Sequence, residues 1–283
     1  MSVPPDGSAR LRRALRESQA ALGVRLARLR EANEHDVHQS RVDCRRLRRL
    51  LKSFRSFFSA EQVLRFRAAL ERVTDLLAEI RELDVLAAQL PLRSGPCVHE
   101  LAAARQQAVK RLSRRLQSPS NRAAVELLAR GPCRGDLGLR GGITDTDVLR
   151  RARHSWRRAE RLLQPRPRTR RQLHKLRIRL KNCRYVIEFV TDILPADVAT
   201  LRRRLRDAQQ NLGDQRDAEA AADWLLSDPA RAARGGAARK SLERSLKKLN
   251  RDLDPVLERL VRAGKRWDHA VTRLIEQDLK GPA

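Results

Sequence analysis

The sequence has few aromatic residues, a single methionine and no long apolar run. Phe, Trp and Tyr together make up 3% of its 283 residues. Proteins that stack the bases of single-stranded nucleic acid need aromatic platforms, so this scarcity argues against that class. No stretch approaches the roughly 18 apolar residues that predict a transmembrane helix. We therefore expect a protein that does not span a membrane.

Cysteine is also scarce, and its spacing matches no ligand pattern. Cys44, Cys97, Cys133 and Cys183 lie far apart, without a Cys-x-x-Cys pair or a paired Cys/His spacing. Neither a disulfide framework nor a zinc site is indicated. The first ten residues lead directly into a charged helix rather than a signal peptide. We expect a reduced, cytoplasmic protein without a metal or cofactor.

Glycine and proline occur mostly in short clusters between long uninterrupted stretches. Few segments alternate between polar and apolar residues, which would be typical of strands. Apolar residues make up 41% of the chain, enough for a packed core, and most are the good helix formers Leu and Ala. The sequence predicts an all-α protein.

Positive charge is what the chain has in excess. Its 62 basic and 34 acidic residues give a formal net charge of +28, and only nine of the basic residues are lysine. Genomic base bias could account for arginine over lysine, but not for the imbalance of sign. Such a charge destabilises the folded state by self-repulsion and favours polyanionic partners. Nucleic acid, an anionic membrane and inorganic polyphosphate are the candidates.

One basic pattern occurs twice, 136 residues apart. The first copy is His38-x-x-Arg41-x-x-x-Arg45-x-x-Arg48, and the second is His174-x-x-Arg177-x-x-x-Lys181-x-x-Arg184. Steps of three and four residues return to one side of a helix, so each copy forms a cationic stripe. On a helical wheel Arg49 and Lys52 extend the first stripe and Tyr185 extends the second, which predicts a surface that meets successive phosphates.

Other matches suggest that the chain is an internal duplication. Residues 77–82, Leu-Ala-Glu-Ile-Arg-Glu, match residues 212–217, Leu-Gly-Asp-Gln-Arg-Asp, at an offset of 135. A Gly-rich linker at 130–143 separates an N-terminal repeat, 1–135, from a C-terminal repeat, 144–283. We predict four helices in each repeat, packed as bundles. Their ranges are 8–33, 36–58, 61–90 and 97–130, then 145–163, 169–194, 196–226 and 230–279.

The two basic segments, together with residues 212–217, resemble the signature segments of CHAD domains, the conserved histidine α-helical domains. The resemblance covers nearly the whole chain and is most specific at 174–185, His-Lys-x-Arg-x-x-x-Lys-x-x-Arg-Tyr. It implies a single domain of two four-helix bundles, related by pseudo-twofold symmetry around a basic central cavity that binds inorganic polyphosphate. The signature positions are His38, Arg41, Arg45, Arg46, Arg48, His174, Lys175, Arg177, Lys181, Arg184 and Tyr185.

The chain also departs from that family pattern. Ala78 and Glu82 stand where the family has Gly and Asp, so the turn there is expected to differ slightly. Arg46 and Lys175 lie about 80–100° from the centre of their stripes on the wheel, where they could face the cavity rim or pair with acids. The Glu-x-Glu-x-Lys signature of the triphosphatase domain that often accompanies this family is absent from the chain.

We expect polyphosphate binding without catalysis, so no catalytic residue is assigned. A nucleic-acid-binding helical protein and an accessory module of a phosphoanhydride-processing enzyme are the alternatives. Association with polyphosphate granules or with a partner enzyme of polyphosphate metabolism would fit the prediction. The acids repeated in the two halves could bind Mg²⁺, but more readily hold neighbouring arginines in place. They are Glu79, Glu82, Asp84, Asp214, Asp217 and Glu219.

Overall fold

The computed structural model describes residues 6–90, 96–130, 137–164, 168–189, 191–193 and 198–280. These residues form eleven α-helices and three short 3₁₀ helices, without a β-strand, which confirms the all-α prediction. None of the described helices has both the length and the apolar composition of a membrane span. The α-helices are α1 Gly7–Ala27, α2 Glu34–Ser53, α3 Ala60–Leu76, α4 Ala78–Gln89, α5 Pro96–Leu116, α6 Pro119–Arg130, α7 Asp145–Glu160, α8 Arg170–Phe189, α9 Val198–Leu226, α10 Pro229–Arg234 and α11 Gly236–Lys280.

Three of the predicted helices are each two helices in the structure. The range 61–90 breaks at Leu77, which leaves the helical region with φ −94° and ψ 1°. The range 97–130 breaks before Pro119, whose ring has no N–H to continue a helix. The range 230–279 breaks at Gly235, where a Cβ would lie 2.9 Å from the carbonyl oxygen of Arg231. The last turns of predicted helices 8–33 and 36–58 are 3₁₀ helices, Leu29–Glu31 and Arg55–Phe57.

Side-chain hydrogen bonds cap the N-termini of α7 and α2. Thr144 caps α7, because its hydroxyl accepts from the Asp147 N–H while the Asp147 carboxylate accepts from the Thr144 N–H. The helix therefore begins at Asp145, the first residue of the predicted range 145–163. In α2 the cap is Asn33, whose Oδ1 accepts from the Asp36 N–H at 2.8 Å. The helix thus begins two residues before the predicted range 36–58, and Asp36 lies inside its first turn, where the helix dipole favours a carboxylate.

One large apolar core runs through both halves of the chain. It joins the buried faces of α1, α2 and α3 to those of α7, α8, α9 and α11. Trp156 and Trp267 are completely buried in it. A smaller cluster joins α4 and α5 to α9 and α11, so it too combines residues from both halves. The two predicted repeats thus share their cores.

The described part of the predicted linker packs on the N-terminal half. The Ser59 N–H donates to the carbonyls of Leu137 and Gly138, and the Arg140 N–H donates to the Phe57 carbonyl at 2.8 Å. Residues 131–136 of the linker lie outside the described residues. Helices α2 and α8, which carry the two copies of the basic pattern, pack against each other, as do α4 and α9. The duplication and the pseudo-twofold relation stay predictions.

Candidate functional site

A cavity of about 560 Å³ lies where α2, α4, α8 and α9 meet, and we call it the central cavity. Cationic side chains dominate its lining, while three carboxylates and one buried tyrosine complete the charged and aromatic groups. These residues are His38, Arg41, Arg45, Arg81, Arg177, Lys181, Arg184 and Arg206, with Asp207, Asp214, Asp217 and Tyr185. The same cavity therefore receives cations from both copies of the basic pattern.

The wall formed by α2 carries His38, Arg41 and Arg45 on successive turns. Nη1 of Arg41 donates to the carbonyl oxygen of Thr74 on α3 at 2.6 Å, which fixes its guanidinium. Burial lowers the pKa of Arg41, and the charges of Arg45 and Arg81 lower it further. The pKa of His38 is lowered by burial and by the same two arginines. His38 is therefore mainly neutral at neutral pH.

Among the groups that line the cavity, Lys181 on α8 has the most strongly shifted pKa. Burial lowers the pKa of Lys181 to about 7, and the cations of Arg45, Arg177 and Arg184 add to this effect against the opposing charge of Asp217. An amine ordinarily charged at all physiological pH values is thus poised to take up a proton. An anion in the cavity would favour the charged form, because opposite charge raises the pKa of an amine.

The neighbouring arginines of α8 are partly held by the protein. Nη1 of Arg184 lies 3.3 Å from Oε1 of Glu188. The Nε atoms of Arg177 and Arg184 are buried and have no hydrogen-bond partner among the described residues. Burial lowers the pKa of Arg177 in spite of the carboxylate of Asp217 nearby. A buried donor without a partner destabilises the free protein, while the rest of each guanidinium group lines the cavity and can donate to a ligand oxygen.

The carboxylates of the central cavity do not cancel its positive charge. Oδ2 of Asp207 lies 3.3 Å from Nη1 of Arg204, an arginine that does not line the cavity. Asp214 accepts from Nε2 of Gln210 at 2.7 Å. Its pKa is raised by burial, with a further rise from the negative charge of Asp217. Cationic groups outnumber these acids, so the cavity favours anions.

Seven of the thirteen sequence-predicted residues line the central cavity. They are His38, Arg41, Arg45, Arg177, Lys181, Arg184 and Tyr185. His174 lines an adjacent cavity of about 500 Å³ between α8 and α9, and Arg177 is common to both. Lys175 is exposed on α8 and lines neither cavity.

The other four predicted residues lie elsewhere on α2. Nη2 of Arg46 lies 4.0 Å from Oε2 of Glu188, and its guanidinium stacks over the ring of Phe189. Arg46 therefore pairs with an acid, which is one of the two alternatives that the helical wheel left open. Arg48 forms an ion pair with Glu71 of α3. Arg49 and Lys52 line a separate cavity.

Two cavity arginines were not among the sequence-predicted site residues. Arg81 lies on α4, inside the segment 77–82 that matches 212–217, so its repetition was a usable signal. Arg206 lies on α9 among several other arginines, and no spacing distinguishes it. Their contribution depends on how α4 and α9 pack against α2 and α8.

Three of the six repeated acids accept hydrogen bonds from arginines, the role that the sequence analysis favoured for the set. Oε1 of Glu79 accepts from Arg111 at 2.6 Å, and Oδ1 of Asp84 accepts from Arg105 at 2.6 Å. Oε2 of Glu219 accepts from Arg170 at 2.8 Å. Within the described part of the chain, no group of three or more His, Cys, Asp or Glu side chains is placed to hold a metal ion.

Comparison with known proteins found one matching domain family and similar solved structures. A model of the CHAD domain family matches residues 9–226. The crystal structure of the CHAD domain from the plant Ricinus communis is similar over 92% of this chain and 94% of that chain, with a TM-score of 0.70 and 20% identity. The structure of PptA from Streptomyces chartreusis is similar over 90% of this chain and 100% of that chain, with a TM-score of 0.66 and 20% identity. Comparison with curated proteins found no match.

Proposed function

The chain belongs to the CHAD domain family, and from this premise we propose that it binds inorganic polyphosphate in the central cavity without cleaving it. The observation that carries the proposal is the cavity lining, in which cations of α2, α4, α8 and α9 face one space. Phosphate oxygens would accept charge-assisted hydrogen bonds from these arginines, which bind phosphate in a planar, often bidentate geometry.

The electrostatics of the free protein support a polyanionic ligand. Arg41, Arg177 and Lys181 all have lowered pKa values because they are buried near other cations. This arrangement costs free energy in the absence of a ligand, since like charges repel in a partly desolvated space. Successive phosphates of one chain would compensate several of these charges together.

The shape of the cavity favours polyphosphate over nucleic acid. A cavity of about 560 Å³ suits a thin chain of phosphates better than a duplex, whose major groove alone is about 12 Å wide. Of the aromatic side chains, only Tyr185 lines the cavity, and it is buried, so bases would find no stacking platform there.

The test is a titration of the whole chain with polyphosphate of defined length, orthophosphate, pyrophosphate and duplex DNA at one salt concentration. Phosphate release is assayed in the same samples. We expect polyphosphate to bind most tightly, with an affinity that falls steeply with salt and without turnover. Equal or tighter binding of DNA contradicts the choice of ligand, and phosphate release contradicts binding without catalysis.

Paired variants test the cavity itself. Arg41→Glu with Arg177→Glu reverses two cavity charges, whereas Arg203→Glu with Arg262→Glu reverses two exposed charges outside it. Both pairs change the net charge equally, so long-range attraction falls by a similar amount. We expect the cavity pair to weaken polyphosphate binding far more than the exposed pair. Equal losses would mean that the central cavity is not the site.

A further inference from the structure

A second basic cavity, of about 540 Å³, lies between α2, α3, α7 and α8, and we call it the α2–α7 cavity. Its lining contains six arginines, one lysine, one histidine and three uncharged polar residues, and no carboxylate. These residues are Arg49, Lys52, Ser53, Arg55, Arg67, Arg151, His154, Ser155, Arg158, Arg179 and Asn182. It shares no lining residue with the central cavity.

The protein leaves the positive charges of the α2–α7 cavity uncompensated. Arg49, Lys52, Arg67, Arg158 and Arg179 form no ion pair with any described residue. Arg151 does have neighbours, since its Nη2 donates to Oγ of Ser56 at 2.8 Å and its guanidinium lies over the ring of Phe57. Neither neighbour carries charge.

A neighbouring basic cavity shows that such crowding is not general in this fold. The cavity that contains Arg46 has a volume of about 350 Å³ and is lined by Arg10 and Arg13 together with Glu17 and Glu188. There acids and arginines line the same space. The absence of acids from the lining of the α2–α7 cavity is therefore a specific property of that surface.

Crowding also changes the ionisation of the groups in the α2–α7 cavity. Burial lowers the pKa of Arg49, with contributions from Arg48 and Arg179. Slight burial lowers the pKa of the largely exposed Lys52, with contributions from Arg49 and Arg67. The pKa of His154 is lowered by partial burial and by the charges of Arg158 and Arg151. Each shift reports unfavourable charge that a bound anion would relieve.

Hydrogen-bond donors are available in the α2–α7 cavity to receive an anion. Nε of Arg67 is buried and has no hydrogen-bond partner among the described residues. Ser53 and Ser155 add hydroxyl groups to the lining. Guanidinium groups from several helices can donate to different oxygens of one tetrahedral phosphate. A planar carboxylate has only two oxygens, so it would accept fewer of these hydrogen bonds.

We propose that the α2–α7 cavity is a second binding site, separate from the central cavity, for a compact phosphate anion of the pyrophosphate or triphosphate class. The shared chemistry is a short run of phosphoryl groups, either a free oligophosphate or the end of a longer chain. The inference goes beyond the proposed function and does not depend on it, because the two cavities have different linings.

The test is calorimetric titration of the full chain with inorganic triphosphate. Lys52→Glu with Arg158→Glu changes the α2–α7 cavity, and both side chains are exposed, so folding should survive. Arg203→Glu with Arg262→Glu is the control of equal charge. We expect the control to bind triphosphate at the α2–α7 site, and the cavity variant to bind there at least about tenfold more weakly. Indistinguishable titrations of the cavity variant and the control overturn the proposal.

The central-cavity variant Arg41→Glu with Arg177→Glu separates this result from the fate of the proposed function. If the proposed function fails, that variant binds polyphosphate as the control does, while the triphosphate loss in Lys52→Glu with Arg158→Glu persists. Adding long polyphosphate to the triphosphate complex then identifies the source of the anion. If long polyphosphate displaces triphosphate, the α2–α7 cavity binds the end of a long chain. If triphosphate stays bound, the cavity binds free oligophosphate. Either result requires that the site exists.

Discussion

Gly264 on α11 lies directly against the indole ring of Trp156 on α7, so that a Cβ at position 264 would stand 1.7 Å from Cζ2 of the indole. Trp156 is completely buried, as is Trp267 on the next turn of α11. Glycine in a helix interior costs about 1 kcal/mol relative to alanine. The close approach of the two helices explains why α11 contains a glycine there.

Gly264→Ala should therefore destabilise the protein in spite of alanine's better helix propensity. We expect the free energy of unfolding to fall by about 3 kcal/mol, because the indole or the helix must shift to make room. Urea denaturation measures the change. Gly213→Ala on α9 is the control, since its Cβ would meet nothing within 4 Å. It should be neutral or stabilising by up to about 1 kcal/mol, and an equal loss in both variants would contradict the packing explanation.

Glu188 restrains Arg184, and its neutralisation should free that arginine for the ligand. Its side chain is 15% exposed and lies 3.3 Å from Nη1 of Arg184. We expect Glu188→Gln to lower the free energy of unfolding by about 1–3 kcal/mol. Polyphosphate affinity should rise, because one negative charge beside the central cavity is lost.

The matched control is Glu71→Gln, which removes the exposed partner of Arg48, a residue outside the cavity lining. Its effect on the free energy of unfolding should stay below about 1 kcal/mol. Polyphosphate titrations at constant salt compare the two variants. Weaker binding by Glu188→Gln would mean that Glu188 positions Arg184 for the ligand rather than competing with it.

Asp84 joins α4 to two other parts of the N-terminal half. Its side chain is 2% exposed and lies 2.6 Å from Nε of Arg105, while Nη2 of Arg105 donates to the Ala32 carbonyl at 2.8 Å. Asp84→Asn leaves the Arg105 charge without its partner, and we expect a loss of about 1–3 kcal/mol in unfolding free energy. Glu79→Gln, which breaks the solvent-exposed pair with Arg111, should cost far less. Chemical denaturation that gives similar losses for both variants would contradict this ranking.

Lys181 should make the stability of the free protein depend on pH. Its pKa is about 7 in the folded protein against an ordinary value of 10.5. The unfolded chain therefore binds more protons between these values, so stability rises with pH from about 7 to 10.5 and is lowest below 7. Lys181→Met has no amine to protonate, so it avoids the free-energy cost of a buried positive charge. Its advantage in denaturation midpoint over the native protein should be greatest at pH 6 and shrink by pH 9, and a pH-independent difference would contradict the lowered pKa.

Polyphosphate binding should depend on pH in the opposite direction. Bound phosphates raise the pKa of Lys181, so the complex holds a proton that the free protein releases above pH 7. Affinity should be highest below pH 7 and fall as the pH rises above it. Calorimetry in buffers of different ionisation enthalpy measures the proton uptake directly. In Lys181→Met, uptake near pH 7 should fall and leave only the share of His38, whose lowered pKa a bound anion would also raise. Unchanged uptake would assign the proton to another group.

The periodicity of the sequence predicted the site only in part. A helical wheel gives the direction of a side chain around one helix, and it correctly grouped His38, Arg41 and Arg45 on one side. It does not show where a second helix packs along the first. Arg49 lies on the same stripe as Arg45, yet it is next to Arg179 and lines a different cavity.

The fold was predictable where the chain signals its boundaries chemically. Thr144 and Asp147 form the capping box that the local sequence indicates. Leu77 has no such signal, because neither glycine nor proline marks the break between α3 and α4. That break places Arg81 at the start of its own helix, facing the central cavity.

The lining of the central cavity has a mechanical consequence. Arg41 and Arg45 come from the N-terminal half of the chain, and Arg177 and Lys181 come from the C-terminal half. A polyanion bound between them would link the two halves, since the halves could not separate without breaking its contacts. Its grip would add to the stability of the folded chain by mass action. If the proposed ligand binds there, the folded chain would be least stable when the cavity is empty and most stable when it is occupied.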